Sequence, residues 1–333
     1  MRAWQVKGVG EPVEVLEFGT AGVPEPGPGQ VRIRVHTAAL NFSDDLVCRG
    51  RYQIRPEPPF TPGMECTGRI DAVADGVAWQ RGDRVMATTT LPHGALAEYA
   101  IADSSNVYRA TENLSDAQAA GLLIPYQTSH IALHRRAGLQ PGEILLVHAG
   151  AGGMGSAAIQ LGVAAGARVF ATAGGPDKTS LCRDLGAEIA IDYRSEDFVA
   201  IVNGATGGAG ANVIYDPVSG DVFDRSRKCI AWEGRILIIG FSSGRIAELP
   251  TNHAMLKNYS VVGVYPARYA QKDRPFLEET HEELLRLLES GAIDPLIRLQ
   301  VPLEDAARAI GELTNRKTVG KVIVHVAAPQ IDA

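Results

Sequence analysis

The chain has 333 residues, a net charge of −6 and 45% hydrophobic residues, a size that suggests two domains with a packed core in each. Charged residues at 21% exclude a disordered chain, and 38 acidic against 32 basic residues argue against broad nucleic-acid binding, which needs a basic surface. Glycine is enriched at 36 residues without any Gly-X-Y period, so its positions should mark turns and close backbone approaches.

In chain order, Val31–His36 alternates with period two, as a half-buried strand does, after a Pro24/Pro26/Pro28/Gly29 turn cluster. Further strand-like pieces at Gly68–Val73, Asp83–Ala87 and Leu96–Ile101 predict a β-rich module. Near residue 115 the character changes. Ser115 is placed to cap an Ala-rich helix, and from about 120 to 265 short apolar strands alternate with helices. The strands are Ile144–His148, Arg168–Thr172, Ile189–Tyr193, Val213–Tyr215, Arg235–Gly240 and Ser260–Val264; helices are expected at Ser156–Ala165 and Lys178–Leu185. This alternation implies a doubly wound parallel sheet. An amphipathic helix (Glu278–Leu288), the segment Leu299–Pro302, a helix (Leu303–Leu313) and a strand (Val319–Val326) complete the chain. The four cysteines form no CxxC pair and read as reduced, as in a cytoplasmic protein. No apolar leader and no run of about 18 apolar residues is visible, so neither a secretory signal nor a membrane span is expected.

The most informative segment is Leu145 to Gly155. Gly150, Gly152 and Gly155 fit G-x-G-x-x-G after an apolar strand and before an Ala-rich helix, the context the motif requires. Gly150 is expected to make the tight turn, Gly152 to let the backbone approach a pyrophosphate, and Gly155 to bring helix and strand together. Ala151, Gly153 and Met154 complete the loop at the helix N-terminus, whose partial positive charge suits an anion. An NAD site usually carries Asp or Glu at the end of the next strand. Here the sequence is Ala173-Gly174-Gly175-Pro176-Asp177-Lys178, without a carboxylate at the strand end and with a cation at Lys178, so NADPH is favoured over NADH.

Two other patterns are set aside. Gly240-Phe241-Ser242-Ser243-Gly244 matches a nucleophile elbow, but the following residues do not open a helix, so a glycine loop near a nicotinamide is the better reading. His130 and His134 stand at helical spacing without a third ligand nearby, so structural histidines are expected and no metal site is assigned.

The blocks Leu40-Asn41-Phe42-Ser43-Asp44, Pro62–Gly68, Gly82–Val85, Gly94–Tyr99, Val147–Gly155, Leu185–Ala187, Ile191–Tyr193 and Arg316–Lys321 occur in one collinear order. Together they resemble the zinc-free quinone oxidoreductase (zeta-crystallin-like) branch of the medium-chain dehydrogenase/reductase superfamily, from about residue 1 to 326. The resemblance implies a Rossmann domain (122–265) inserted in a split, GroES-like catalytic domain (1–121 and 266–333). It places Asn41 and Tyr52 in a substrate cleft between the domains, beside the nicotinamide. It matches Lys178, Tyr193 and Arg316 to phosphate contacts of NADPH, and Gly174, Gly240, Phe241 and Ser242 to the cofactor's surroundings. Zinc-dependent relatives carry Cys, His and Cys where this chain has Asn41, Met64 and a residue near Ile124, so hydride transfer without a metal is expected. Relatives often carry a Tyr where this chain has Leu46.

The activity implied is NADPH-dependent, zinc-independent reduction of a quinone. The alternatives are reduction of an enoyl or 2-alkenal C=C bond on the same fold, with Tyr52 the candidate proton donor, and a non-catalytic NADPH-binding protein. A small-molecule acceptor, no nucleic acid and no membrane are the expected partners, with a homodimer formed through Ser260–Val264 at the family level.

Overall fold

The computed structural model describes residues 1–327. They divide into two compact units. One comprises Met1–Ile124 and the chain from Pro295 onward; the other is Pro125–Asp294.

In the first unit, β1 (Arg2–Val6) pairs antiparallel with β2 (Leu16–Thr20). The long strand β3 (Gln30–Leu40) is the centre of a larger sheet. It pairs antiparallel with β4 (Glu65–Val73) and β6 (Tyr99–Asp103); β5 (Arg84–Thr88) and β7 (Val107–Arg109) extend that sheet beyond β4. Val31, Ile33 and Val35 point into the core, as their alternation predicts. Arg32 between them is held by Asp71 at 2.7 Å and Glu25 at 2.8 Å.

The second unit carries six parallel strands: β8 (Ile144–Val147), β9 (Arg168–Ala173), β10 (Ile189–Asp192), β11 (Ala211–Asp216), β12 (Ile230–Ile238) and β13 (Ser260–Gly263). Their spatial order is β10-β9-β8-β11-β12-β13. Counted within the unit this is 3-2-1-4-5-6, the doubly wound order of dinucleotide-binding sheets, whose order reverses between β8 and β11. All four residues of β8 are buried, as a central parallel strand requires. After this unit the chain returns as β14 (Ile297–Pro302) and β15 (Lys321–His325), and β15 pairs antiparallel with β3. Val301, Leu303, Ile310, Val322 and Val324 join Val31, Ile33 and Val85 in one apolar core, so the expected insertion of one unit into the other is present.

The junctions lie at 124/125 and 294/295 rather than at 121/122 and 265/266. The first falls inside a helix, Asp116–His130, just before its internal Pro125. Ser115 and Gln118 close that helix's first turn reciprocally, each accepting the other's backbone N–H at 3.2 Å. The second junction is late because the helix Arg274–Glu289 packs within the second unit. Asp273 at its start meets Arg135 at 3.4 Å, and the Arg135 guanidinium lies over the Phe276 ring. Residues 328–333, assigned from sequence to the catalytic domain, lie outside the described residues. No helix among the described residues is long and apolar enough to cross a membrane.

Candidate functional site

The glycine segment begins where β8 ends. His148 donates its backbone N–H to Tyr215 O at 3.0 Å, and its ring bridges Thr172 Oγ1 (3.0 Å) and Ser226 Oγ (2.8 Å). Complete burial holds this imidazole neutral, with its pKa pushed down to about 3. The turn that follows is made by Ala149 at φ 52°, not by Gly150. A side chain at Gly150 would press on Cys182 Sγ, Ala171 Cβ and Ile159 Cδ1 within 3.0 Å, so this glycine serves packing. At Gly155 a Cβ would overlap Ala149 O, whereas at Gly152 the nearest atom would be 3.4 Å away. Gly155 therefore brings the helix Gly153–Ala164 against the turn, and Gly152 leaves space beside the helix's first N–H groups. Those groups have no partner within the helix, which suits a pyrophosphate. Ala151 is buried; Gly153 and Met154 are half-buried at the helix start.

The end of β9 and the end of β10 converge. A Cβ on Gly174 would lie 2.6 Å from Tyr193 Oη and 3.1 Å from Arg194 Nε, and one on Gly175 would lie 3.3 Å from Arg194 Nη1. Lys178 stands on the helix Pro176–Asp184 that opens here; burial, then the neighbouring Arg194 charge, hold its ammonium pKa below the usual value. Asp192, the carboxylate at the end of β10, accepts the backbone N–H groups of Gly175 (2.8 Å) and Arg194 (3.0 Å). Tyr193 and Arg194 thus meet at Gly174, and Lys178, on the helix that opens after Gly175, lies within reach of the Arg194 charge. Sequence reasoning missed Arg194, although it directly follows Tyr193. Two cations and a phenol around a glycine pair fit a 2′-phosphate.

At the ends of β11 and β12, Gly240, Phe241 and Ser242 form an exposed-to-half-buried loop. Ser242 N–H donates to Pro217 O (3.1 Å) and Ser243 N–H to Val218 O (3.0 Å). No helix opens until Thr251, which confirms that the elbow pattern lacks its structural context. His130 and His134 face each other with ring centroids 4.5 Å apart, and among the described residues no group of three or more His, Cys, Asp or Glu side chains could hold a metal.

In the first unit, Asn41 starts the helix Phe42–Cys48, and its backbone N–H donates to Asp44 Oδ2 at 2.8 Å. Its side-chain Nδ2 donates to Glu65 Oε1 (3.0 Å) and Ala39 O (3.3 Å), and Oδ1 accepts from Lys321 Nζ (2.7 Å). Both amide hydrogens are committed within the unit. Lys321 also donates to Leu40 O at 3.0 Å and forms a buried ion pair with Glu65, whose Oε2 accepts the Ile124 N–H at 2.8 Å. Burial raises the Asp44 carboxyl to about 7, against the opposing backbone N–H of Asn41 and charge of Lys321. Tyr52 packs, partly buried, against this unit's apolar core. Arg316 follows the helix Ala306–Thr314 at φ 58° and belongs to this unit, not to the one that carries Lys178 and Tyr193.

Known proteins share this organisation. Residues 27–112 match the family model described as an alcohol dehydrogenase GroES-like domain, and residues 153–290 match the model described as a zinc-binding dehydrogenase. The rat (Rattus norvegicus) quinone oxidoreductase-like protein 2 is 39% identical over 306 residues, covering 91% of this chain and 87% of the relative. The pig (Sus scrofa) quinone oxidoreductase is 32% identical over 326 residues, covering 97% of each. The Escherichia coli quinone oxidoreductase in its complex with NADPH superposes with a TM-score of 0.90 at 28% identity, covering 98% of this chain and 100% of that one. The chain belongs to the medium-chain dehydrogenase/reductase superfamily, with a GroES-like domain and a Rossmann-type parallel sheet. Within the superfamily it falls in the quinone oxidoreductase-like branch.

The zinc in the second model's name does not fit the residues present here. At or near the positions that the resemblance gives to the zinc ligands of zinc-dependent relatives, Asn41, Met64 and Ile124 offer an amide, a thioether and an alkyl group.

Proposed function

We propose that the chain is an NADPH-dependent quinone reductase that works without zinc. The observation that carries this reading is the convergence of Tyr193 and Arg194 on Gly174–Gly175, with Lys178 beside the Arg194 charge and Asp192 tied to backbone N–H groups. NADPH, when bound, supplies the hydride. The chain's own part is positioning. Gly152 and the N-terminus of the helix Gly153–Ala164 seat the pyrophosphate, Lys178 and Arg194 hold the 2′-phosphate, and Gly240–Ser242 borders the nicotinamide. Arg316 is a second phosphate contact on this reading, and Tyr52 lines the substrate. Asn41 lines the substrate beside the nicotinamide on this reading, its amide oriented by Lys321 and Glu65. A quinone needs no strong Lewis acid, since it is already electrophilic.

The test is an acceptor screen that follows NADPH absorbance with simple quinones and 2-alkenals side by side. Faster turnover of quinones supports the proposal; faster turnover of 2-alkenals makes the chain a C=C reductase; NADPH binding without turnover of any acceptor removes the enzymatic reading. A cytoplasmic homodimer completes it: among the described residues β13 pairs only with β12 in its sheet and leaves an edge for a second copy. A monomer by light scattering would remove the dimer.

A further inference from the structure

Asp216 is the last residue of β11, the strand beside the point where the sheet order reverses, and its side chain is fully buried. Ligands of such sheets bind outside the carboxyl ends of the strands at that point. One oxygen of this carboxyl, Oδ1, accepts two backbone N–H groups, from Val218 and Ser219, each at 2.8 Å. The turn it closes is conformationally demanding. Ser219 sits at φ 62° and Gly220 at φ 59°, left-handed values that a serine rarely adopts unless something holds it there.

The turn in turn grips the glycine loop at three places. Pro217 O accepts from Ser242 N–H (3.1 Å), Val218 O from Ser243 N–H (3.0 Å), and Ser219 Oγ from Ala247 N–H (3.2 Å). A Cβ on Gly220 would lie 2.8 Å from Ser243 Oγ, so turn and loop are in direct contact. The backbone N–H of Ile239, just ahead of the loop, also donates to Asp216 O at 3.0 Å.

We infer that Asp216 is a positioning residue for the nicotinamide end of the cofactor site: it holds the 217–220 turn, and the turn holds the 240–247 loop. This rests on the proposed NADPH reading. Without the carboxyl, the Val218 and Ser219 N–H groups lose their acceptor and the left-handed Ser219–Gly220 pair loses its restraint. The adenosine end, built on the ends of β9 and β10, is not touched.

The test compares Asp216→Ala and Asp216→Asn with the wild type. Three measurements are needed: amide hydrogen exchange in the loop, affinity for NADPH against adenosine 2′,5′-bisphosphate, and kcat with a quinone. In Asp216→Ala the amides of Ser242, Ser243 and Ala247 exchange faster. NADPH binding and kcat fall by about tenfold or more, while bisphosphate binding stays within about twofold. Asp216→Asn recovers most of the loss, because the amide oxygen can accept the same two N–H groups. Gly220→Ala, which pushes on Ser243 from the turn side, gives the same split between the two ligands and serves if Asp216→Ala does not fold. Unchanged loop exchange and NADPH binding would overturn the inference, and so would equal weakening of both ligands. A wild-type protein that binds neither ligand would overturn the cofactor reading instead, with the loop-exchange result still deciding whether Asp216 holds the 240–247 loop.

Discussion

The Lys321 ammonium donates to the amide oxygen of Asn41 at 2.7 Å, and the same ammonium is the counter-charge of the fully buried Glu65. A side chain near the end of the chain thereby fixes the orientation of one near its beginning. The assignment of the Asn41 amide oxygen follows from this donor, since an ammonium can only donate.

Lys321→Met is expected to destabilise the protein by about 3–5 kcal/mol, because it strands the Glu65 carboxylate in the core. The double variant Lys321→Met/Glu65→Gln should recover most of that loss, since two neutral groups replace the pair. Urea unfolding of the three proteins checks this; a double variant no more stable than the single one would contradict it.

Lys178→Ala and Arg194→Ala should each raise the KM for NADPH by about tenfold, the scale of one charge-assisted phosphate contact at ~1.4 kcal/mol, and leave that for NADH nearly unchanged. Steady-state kinetics with both cofactors decide it. Equal effects on NADPH and NADH would remove the 2′-phosphate assignment.

The glycine loop offers a paired comparison. Gly155→Ala forces a Cβ onto Ala149 O, so it should lower the melting temperature as well as cofactor binding. Gly152→Ala meets nothing closer than 3.4 Å, so it should leave thermal stability unchanged while weakening NADPH binding. A Gly152→Ala protein that binds NADPH as the wild type does would count against the pyrophosphate site.

Two buried groups give stability opposite dependences on pH. His148 is held neutral with its pKa at about 3, against an ordinary value of 6.5, so its contribution is complete above pH 6.5 and is lost as pH falls toward 3. Asp44 is raised from 3.8 to about 7, so its contribution is complete below pH 3.8 and is lost as pH rises through 7. Asp44→Asn should therefore stabilise the protein more at pH 8 than at pH 4, by about 2–4 kcal/mol. Denaturant titrations of the variant and wild type at the two pH values measure the difference; a gain independent of pH would show that Asp44 does not titrate in this range.

Much of the nucleotide-type unit was legible because its strands are short apolar runs between glycines. Ile144–Val147 and Arg168–Ala173 lie within a residue or so of where periodicity puts them. The helix Phe42–Cys48 escaped notice because its seven residues include Asp44 and Asp45, both buried, and show no apolar period. The strand β12 starts at Ile230, earlier than Arg235, because Glu233 at φ 56° interrupts the pattern and shifts the register against β11. The late junction at 294/295 was hidden for another reason: Leu277 and Leu284 reveal that the helix Arg274–Glu289 is covered on one face, but not by which unit. In the candidate site, the sequence marked Lys178 and Tyr193, yet only the fold shows Arg194 against Gly174 and Lys321 against Asn41.

The segment 125–294 begins and ends at one spot. Tyr126 Oη donates to Asp294 O at 2.9 Å, and Gln160 binds both, accepting the Asp294 N–H at 2.6 Å and donating to Tyr126 Oη and Asp294 O at 2.9 Å. A cassette with neighbouring ends can be closed on itself by a short linker and reopened elsewhere, for instance at the exposed Gly207–Gly208 turn, with every strand kept in its place.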